Sequence, residues 1–169
     1  TSTVHIGAID MGSDFPVRVQ SMTTTNTNDT EACVRQAEEI IKAGGELVRL
    51  TTQGKREAEN LKNINAQLRS EGYTTPLVAD VHFNPNVADV AALYAEKVRI
   101  NPGNYVDPAR KFIKQEYTDE EYAAELKKIE DRLIPFLNIC KANHTAIRIG
   151  VNHGSLSDRI RNRYGDTPE

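Results

Sequence analysis

Short apolar runs rich in β-branched residues alternate along the chain with longer segments of helical period. Such alternation is the mark of βα units that feed a parallel sheet. The runs predict strands at Pro16–Met22, Glu46–Thr51, Pro76–His82, Lys97–Asn101 and Ala146–Asn152. Helix signals follow each. After the first, Asn28 with Glu31 reads as a capping box, and Val34, Ala37 and Ile41 share a face before the stop at Gly44-Gly45. After the second, Lys55 to Ser70 is rich in strong helix formers and ends at Gly72. The third helix opens with Asn84 as its cap and Pro85 in first position. From Gly103 to Thr118 the fourth connection is longer than an ordinary βα loop, which marks either a functional loop or an insertion. Thr118 and Glu121 then form a second capping box for a long helix. Tyr122, Leu126, Ile129, Leu133, Phe136, Leu137 and Cys140 line one face of it, and Pro135 is expected to kink or split it. Ser155 is expected to cap one further helix.

Five such units cannot close a barrel, and no Gly-rich GxGxxG turn follows the first strand as it would in a dinucleotide-binding open sheet. The reading is therefore an α/β fold of partial TIM (β/α)8 barrel type, about the first five βα units. A whole barrel takes about 250 residues, and the 169 here are expected to be the N-terminal part of a substrate-binding barrel domain. Hydrophobic residues at 38% and charged residues at 27% exclude a disordered tail, a collagen-like repeat and a disulfide scaffold. No apolar run approaches the ~20 residues of a membrane span, and no secretory leader opens the sequence, so cytoplasm is the expected compartment. A net charge of -3 argues against nucleic acid or an anionic membrane as the main partner. Cys33 and Cys140 lie far apart without CxxC spacing, which reads as buried thiols rather than a disulfide or a metal site.

Polar residues recur at the C-terminal ends of successive strands, where barrel enzymes keep their chemistry. Residues two apart share a strand face, which pairs Arg49 with Thr51, Asp80 with His82, Arg99 with Asn101, and Arg148 with Asn152. Three arginines hold matched positions. A guanidinium inside a barrel costs several kcal/mol unless paired, and Asp80 alone is not expected to pair three. A di-anionic ligand would, because the planar guanidinium fork suits phosphate oxygens. The plainer alternative turns these arginines outward into surface ion pairs. Arg18 lies early in its strand, where an outer ion pair and a ligand contact are both open. Asp80 and His82 are candidates for a polar substrate contact or acid/base work; a metal pair and a structural hydrogen bond are the alternatives. Gln53-Gly54-Lys55 reads as a strand-to-helix turn, not a P-loop.

Four segments carry a family resemblance: Val19-Gln20-Ser21-Met22-Thr23, Leu77-Val78-Ala79-Asp80-Val81-His82-Phe83, Val98-Arg99-Ile100-Asn101-Pro102-Gly103-Asn104, and Ile147-Arg148-Ile149-Gly150-Val151-Asn152-His153-Gly154-Ser155-Leu156. In this order they resemble the 4-hydroxy-3-methylbut-2-enyl diphosphate synthase family over nearly the whole chain. Thr52-Gln53-Gly54-Lys55-Arg56-Glu57-Ala58 and Glu116-Tyr117-Thr118-Asp119-Glu120-Glu121-Tyr122, with the long fourth connection, resemble its plant-type branch, which carries an extra domain. The resemblance implies reductive ring opening and dehydration of 2-C-methyl-D-erythritol 2,4-cyclodiphosphate in the non-mevalonate isoprenoid pathway. It implies diphosphate binding by Arg49, Arg99 and Arg148, helped by Asn152, with Gln20, Ser21 and Asn101 as further substrate contacts and Asp80 and His82 as catalytic candidates. It also implies a [4Fe-4S] cluster held outside this chain by three Cys and a Glu, with ferredoxin or flavodoxin as electron donor. Cys33 and Cys140 match none of the cluster ligands.

The alternatives are a pterin-binding barrel of the dihydropteroate synthase kind, whose first-strand Asn and Ser-Thr-Arg-Pro loop are not seen, and a non-catalytic phosphate-ligand binding domain. The 169-residue chain alone is expected to be inactive, and either to self-associate through open barrel edges or to be marginally stable and aggregation-prone.

Overall fold

The computed structural model describes residues 2–82, 84–106, 117–152, 154 and 156–165. The chain enters through a hairpin that the hydrophobic pattern did not announce. Strand β1 (Val4–Ile6) pairs antiparallel with β2 (Ile9–Met11), Val4 facing Met11 and Ile6 facing Ile9. The two-residue turn needs a positive φ at its first position, which Gly7 supplies at 55°.

Five parallel strands follow: β3 (Gln20–Met22), β4 (Leu47–Thr52), β5 (Leu77–Val81), β6 (Lys97–Ile100) and β7 (Ala146–Ile149). They lie side by side in chain order. That is the order in which a barrel wall is laid down, and a doubly wound sheet would reverse it. The connecting helices are α1 (Thr30–Lys42), α2 (Lys55–Ser70), α3 (Pro85–Tyr94) and α4 (Asp119–Asn143), with α5 (Asp158–Tyr164) after the last strand. The sheet and helices thus bear out the α/β partial-barrel reading. Both cysteines are free and buried, as expected.

Local details depart from expectation in four places. The first strand is shorter than Pro16–Met22 because Pro16 has no backbone donor and Val17 stands 94% exposed. The cap of α1 is Asp29, whose Oδ1 accepts from the Ala32 amide at 3.1 Å; Asn28 instead donates its amide to Asn26 Oδ1 in a local turn. Pro135 does not split α4, which runs unbroken from Asp119 to Asn143. Pro135 and Asp131, whose carbonyl would have accepted the missing amide, both face solvent, so water can serve that oxygen. Along α4 only part of the anticipated apolar face is covered: Phe136 and Cys140 are buried, while Leu126 and Leu137 are 45% and 40% exposed. The capping box of Thr118 and Glu121, the Asn84 cap with Pro85 behind it, and the Gly54 turn into α2 all form as the sequence predicts. α5 begins after Ser157; Ser155 and residues 107–116 of the fourth connection lie outside the described residues.

Strand alternation divides the core in two. Val48 and Leu50 of β4, Leu77, Ala79 and Val81 of β5, and Val98 and Ile100 of β6 point outward and pack on Cys33, Ala37, Leu61, Ile64, Ala88, Ala91 and Phe136 of the helices. The opposite, concave face is apolar only at its lower end, where Leu47, Val78 and Ala146 meet Ile6 of the hairpin, with Ile9 and Met11 packed alongside. Glu96 fastens the same end: Oε1 accepts from Asn65 Nδ2 at 3.0 Å and Arg69 Nη2 at 2.9 Å, and Oε2 from the Leu77 amide at 2.7 Å. The hairpin is therefore a floor to the inner face.

Candidate functional site

Register decides which side chains meet on the inner face. In this parallel ladder Thr51 is level with Asp80, Asp80 with Arg99, and Arg99 with Arg148. Arg49 stands one inward step below Thr51, level with Val78. Asp80 is 2% exposed and takes both arginines beside it. Arg49 Nη2 donates to its Oδ2, and Arg99 Nη1 donates to its Oδ1 at 3.2 Å. Arg99 Nη2 reaches the opposite neighbour, donating to the Gly150 carbonyl at 3.1 Å. One buried carboxylate between two part-buried guanidinium groups fixes both forks in place. Among the described residues Asp80 pairs two of the three matched arginines. The pairing required the register, and the outward-facing alternative is excluded for Arg49 and Arg99.

His82 Nε2 is 4.0 Å from Asp80 Oδ2 and its side chain is 33% exposed at the strand end. Asn101 is buried just beyond β6, its side chain accepting from the Gly103 amide at 3.1 Å to cap a short 3-10 turn over Pro102–Asn104. Gln20 lies on the inner face of β3, level with Leu47. Ser21 is level with Val48, whose side chain is in the outer core, so the alternation points Ser21 away from Gln20 and Arg49. Arg148 and Asn152 are both exposed, Arg148 on the inner face of β7. His153 and Phe83 of the quoted segments lie outside the described residues. Arg18 makes the ion pair that was one of its open readings, Nη1 donating to Glu46 Oε1 at 2.8 Å and Nε to the Asp10 carbonyl at 2.9 Å, and its side chain also borders the inner cavity. The Val19 amide and then the Arg18 guanidinium hold the Glu46 carboxyl below its ordinary range.

That cavity, about 420 Å³, is lined by Val4, Ile6 and Met11 of the hairpin and by Gln20, Lys97 and Arg148 of the strands. Sequence reasoning missed Lys97. It is 6% exposed at the start of β6, two residues before Arg99 and on the same face. Burial, then Arg148 and Arg49, lower its ammonium from the ordinary lysine range. The signal was present in the spacing of Lys97 and Arg99, but a lysine opening a strand reads as a solvated terminus. Gly150 was missed too: a Cβ there would come within 2.2 Å of Arg99 Nε.

Among the described residues no group of three or more His, Cys, Asp or Glu side chains could hold a metal ion. Both thiols sit in the helical layer: Cys33 Sγ donates to the Asn26 carbonyl at 3.3 Å, and burial raises the Cys140 thiol to about 11. No helix among the described residues is long and apolar enough to cross a membrane.

The GcpE TIM-barrel domain model matches residues 1–169. The chain is 75% identical over all 169 residues to a protein of Bacteroides fragilis named 4-hydroxy-3-methylbut-2-en-1-yl diphosphate synthase (flavodoxin). It is 64% identical over the same span to the protein of that name from Parabacteroides distasonis. It spans 27% of the first relative's length and 28% of the second's. Among solved structures, dihydropteroate synthase from Xanthomonas albilineans matches 95% of this chain and 69% of its own at 17% identity and a TM-score of 0.50. That likeness is one of fold alone, and the pterin alternative draws no further support from it. A sequential parallel sheet with a polar inner face, matched from end to end by one family model, makes this chain a member of the GcpE TIM-barrel domain family.

Proposed function

We propose that this chain forms the substrate-binding part of a 4-hydroxy-3-methylbut-2-enyl diphosphate synthase, in which inner-face cations hold the diphosphate of 2-C-methyl-D-erythritol 2,4-cyclodiphosphate during reductive ring opening and dehydration. The observation that carries the reading is the Asp80 bridge. It holds Arg49 and Arg99 from adjacent strands on the concave face, beside Arg148 and above an apolar floor. Each charge-assisted contact from such a cation to a phosphate oxygen is worth about 1.5–3 kcal/mol net. Gln20, Asn101 and Asn152 supply further polar contacts on the same face, and Ser21 would reach ligand only through its backbone or a local rearrangement.

Asp80 is a positioning residue in this scheme, because both of its oxygens are already taken by guanidinium donors. His82 stands beside it at the strand end, part-exposed, and is the group placed to give or take a proton from a ligand above Asp80. The electrons of the reductive step would come from a [4Fe-4S] cluster. This chain's thiols do not fit that group: both are buried among helices and away from the concave face. We place the cluster elsewhere in the protein. The relatives' names support flavodoxin as the donor. Residues 1–169 are the N-terminal portion of the barrel domain in this reading, and the protein works in the cytoplasm.

The test is consumption of the cyclodiphosphate by the full-length protein with reduced flavodoxin. Arg99→Ala should weaken substrate binding by about 1.5–3 kcal/mol, whereas Arg35→Ala, on α1 and exposed, should leave it unchanged. Equal effects from both substitutions would remove the site assignment, and no turnover by the wild type would remove the reaction.

A further inference from the structure

Two cations of the inner face stand apart from the Asp80 bridge. Arg49 gives Nη2 to Asp80, its buried Nε having no partner, and Arg99 gives its donors to Asp80 and to the Gly150 carbonyl. Lys97 and Arg148, which line the same cavity, make no hydrogen bond or ion pair among the described residues. Lys97 is the more exacting case. It sits level with Val78 on one side and Ala146 on the other, two members of the apolar floor cluster, and it is 6% exposed. The charged neighbours that act on it, Arg148 and Arg49, are both cations. An uncompensated ion so placed costs several kcal/mol. An anion shared with Arg148 would offset that cost, and the apolar floor beneath would strengthen the contact by keeping water away.

We propose that Lys97, with Arg148, takes one phosphoryl group of the diphosphate ligand beside the Asp80–Arg49–Arg99 cluster, Lys97 being level with Arg49 and Arg148 level with Arg99. The inference rests on the diphosphate reading and deepens it. Lys97 is then a binding residue in its own right, one inward step deeper on β6 than Arg99. The cavity of about 420 Å³ is of a size that small-ligand sites commonly have.

The experiment is isothermal titration of the full-length protein with inorganic diphosphate and, separately, with the cyclodiphosphate, paired with thermal melting in the absence of either. Lys97→Met and Arg148→Met should each weaken binding about tenfold or more. Lys97→Arg should keep most of the affinity, and Lys62→Met, on the exposed face of α2, should behave as wild type. Without ligand, Lys97→Met should melt no lower than wild type, because the substitution removes a buried charge. Wild-type affinity in Lys97→Met would overturn the subsite. A markedly lower melting temperature with unchanged affinity would also overturn it, showing that Lys97 pairs with a carboxylate of the protein. If the wild type binds neither compound, the diphosphate reading itself fails, a result separate from either of those.

Discussion

Arg99 lies against Gly150 so closely that a methyl group on Gly150 would come within 2.2 Å of Arg99 Nε and 2.9 Å of Cζ. Its Nη2 donates to the carbonyl of the same glycine at 3.1 Å. The bare backbone at Gly150 is thus one wall of the slot that aims the guanidinium, with Asp80 as the other.

Gly150→Ala should therefore push Arg99 aside. The Gly150 φ is not in the left-handed region, so alanine fits the backbone and the whole effect falls on the side chain it meets. Substrate affinity of the full-length protein should fall by at least the worth of one charge-assisted contact, about 1.5–3 kcal/mol, with little change in melting temperature. Titration calorimetry and thermal melting on the same preparation would separate the two, and unchanged affinity would show that Arg99 does not touch the ligand.

Asp80→Ala has the opposite profile. It strands Arg49 and Arg99, whose side chains are only 24% and 13% exposed. Removing one member of a buried pair costs about 3–5 kcal/mol, and the partial exposure of both arginines places this case at the low end. Denaturant unfolding should register that loss, and added diphosphate should recover part of it by giving the arginines another anion. Asp80→Ala as stable as wild type would show that water already serves both cations.

Cys140 gives a pH signature independent of the ligand. Burial, with Asp89 nearby, raises its thiol from 9.0 to about 11. A folded-state value above the unfolded one means that the folded chain keeps its proton while the unfolded chain ionises. The stability tied to the neutral thiol is full below pH 9.0 and is lost as pH rises toward about 11. Cys140→Ala should flatten that decline in a series of melts across the window. An equal slope in both proteins would assign the loss to other groups.

A polypeptide of these 169 residues alone, made for measurement, presents β3 and β7 each paired on one side only among the described residues. Unpaired strand edges are templates for another chain. Sedimentation over a concentration series should show association, and a monomer that melts cooperatively at high concentration would contradict it.

Much of this layout was legible in the sequence. The five strand cores and the caps at Asn84 and Thr118 rest on local signals, and local signals suffice where apolar runs and capping residues coincide. The hairpin escaped because Val4–Ile6 and Ile9–Met11 are each three residues long, too short for alternation to stand out. The arginines were visible as a matched set, but their shared acceptor was not. Whether Asp80 falls beside Arg99 or beside Val98 depends on a one-residue choice of register, which no local pattern fixes. The same holds for Ser21, whose inward neighbour Gln20 differs from it only by the parity of the strand.

The floor beneath the site belongs to the entering hairpin and not to the barrel wall, so the depth of the chamber and its chemistry are written in different parts of the chain. Val4, Ile6 and Met11 set where the chamber stops, while the strands supply its cations. Trimming those three side chains would open the chamber toward the hairpin and leave the Asp80 contacts of Arg49 and Arg99 in place. In the proposed function the hairpin would act as a gauge of ligand length, adjustable separately from the charge that would recognise the head group.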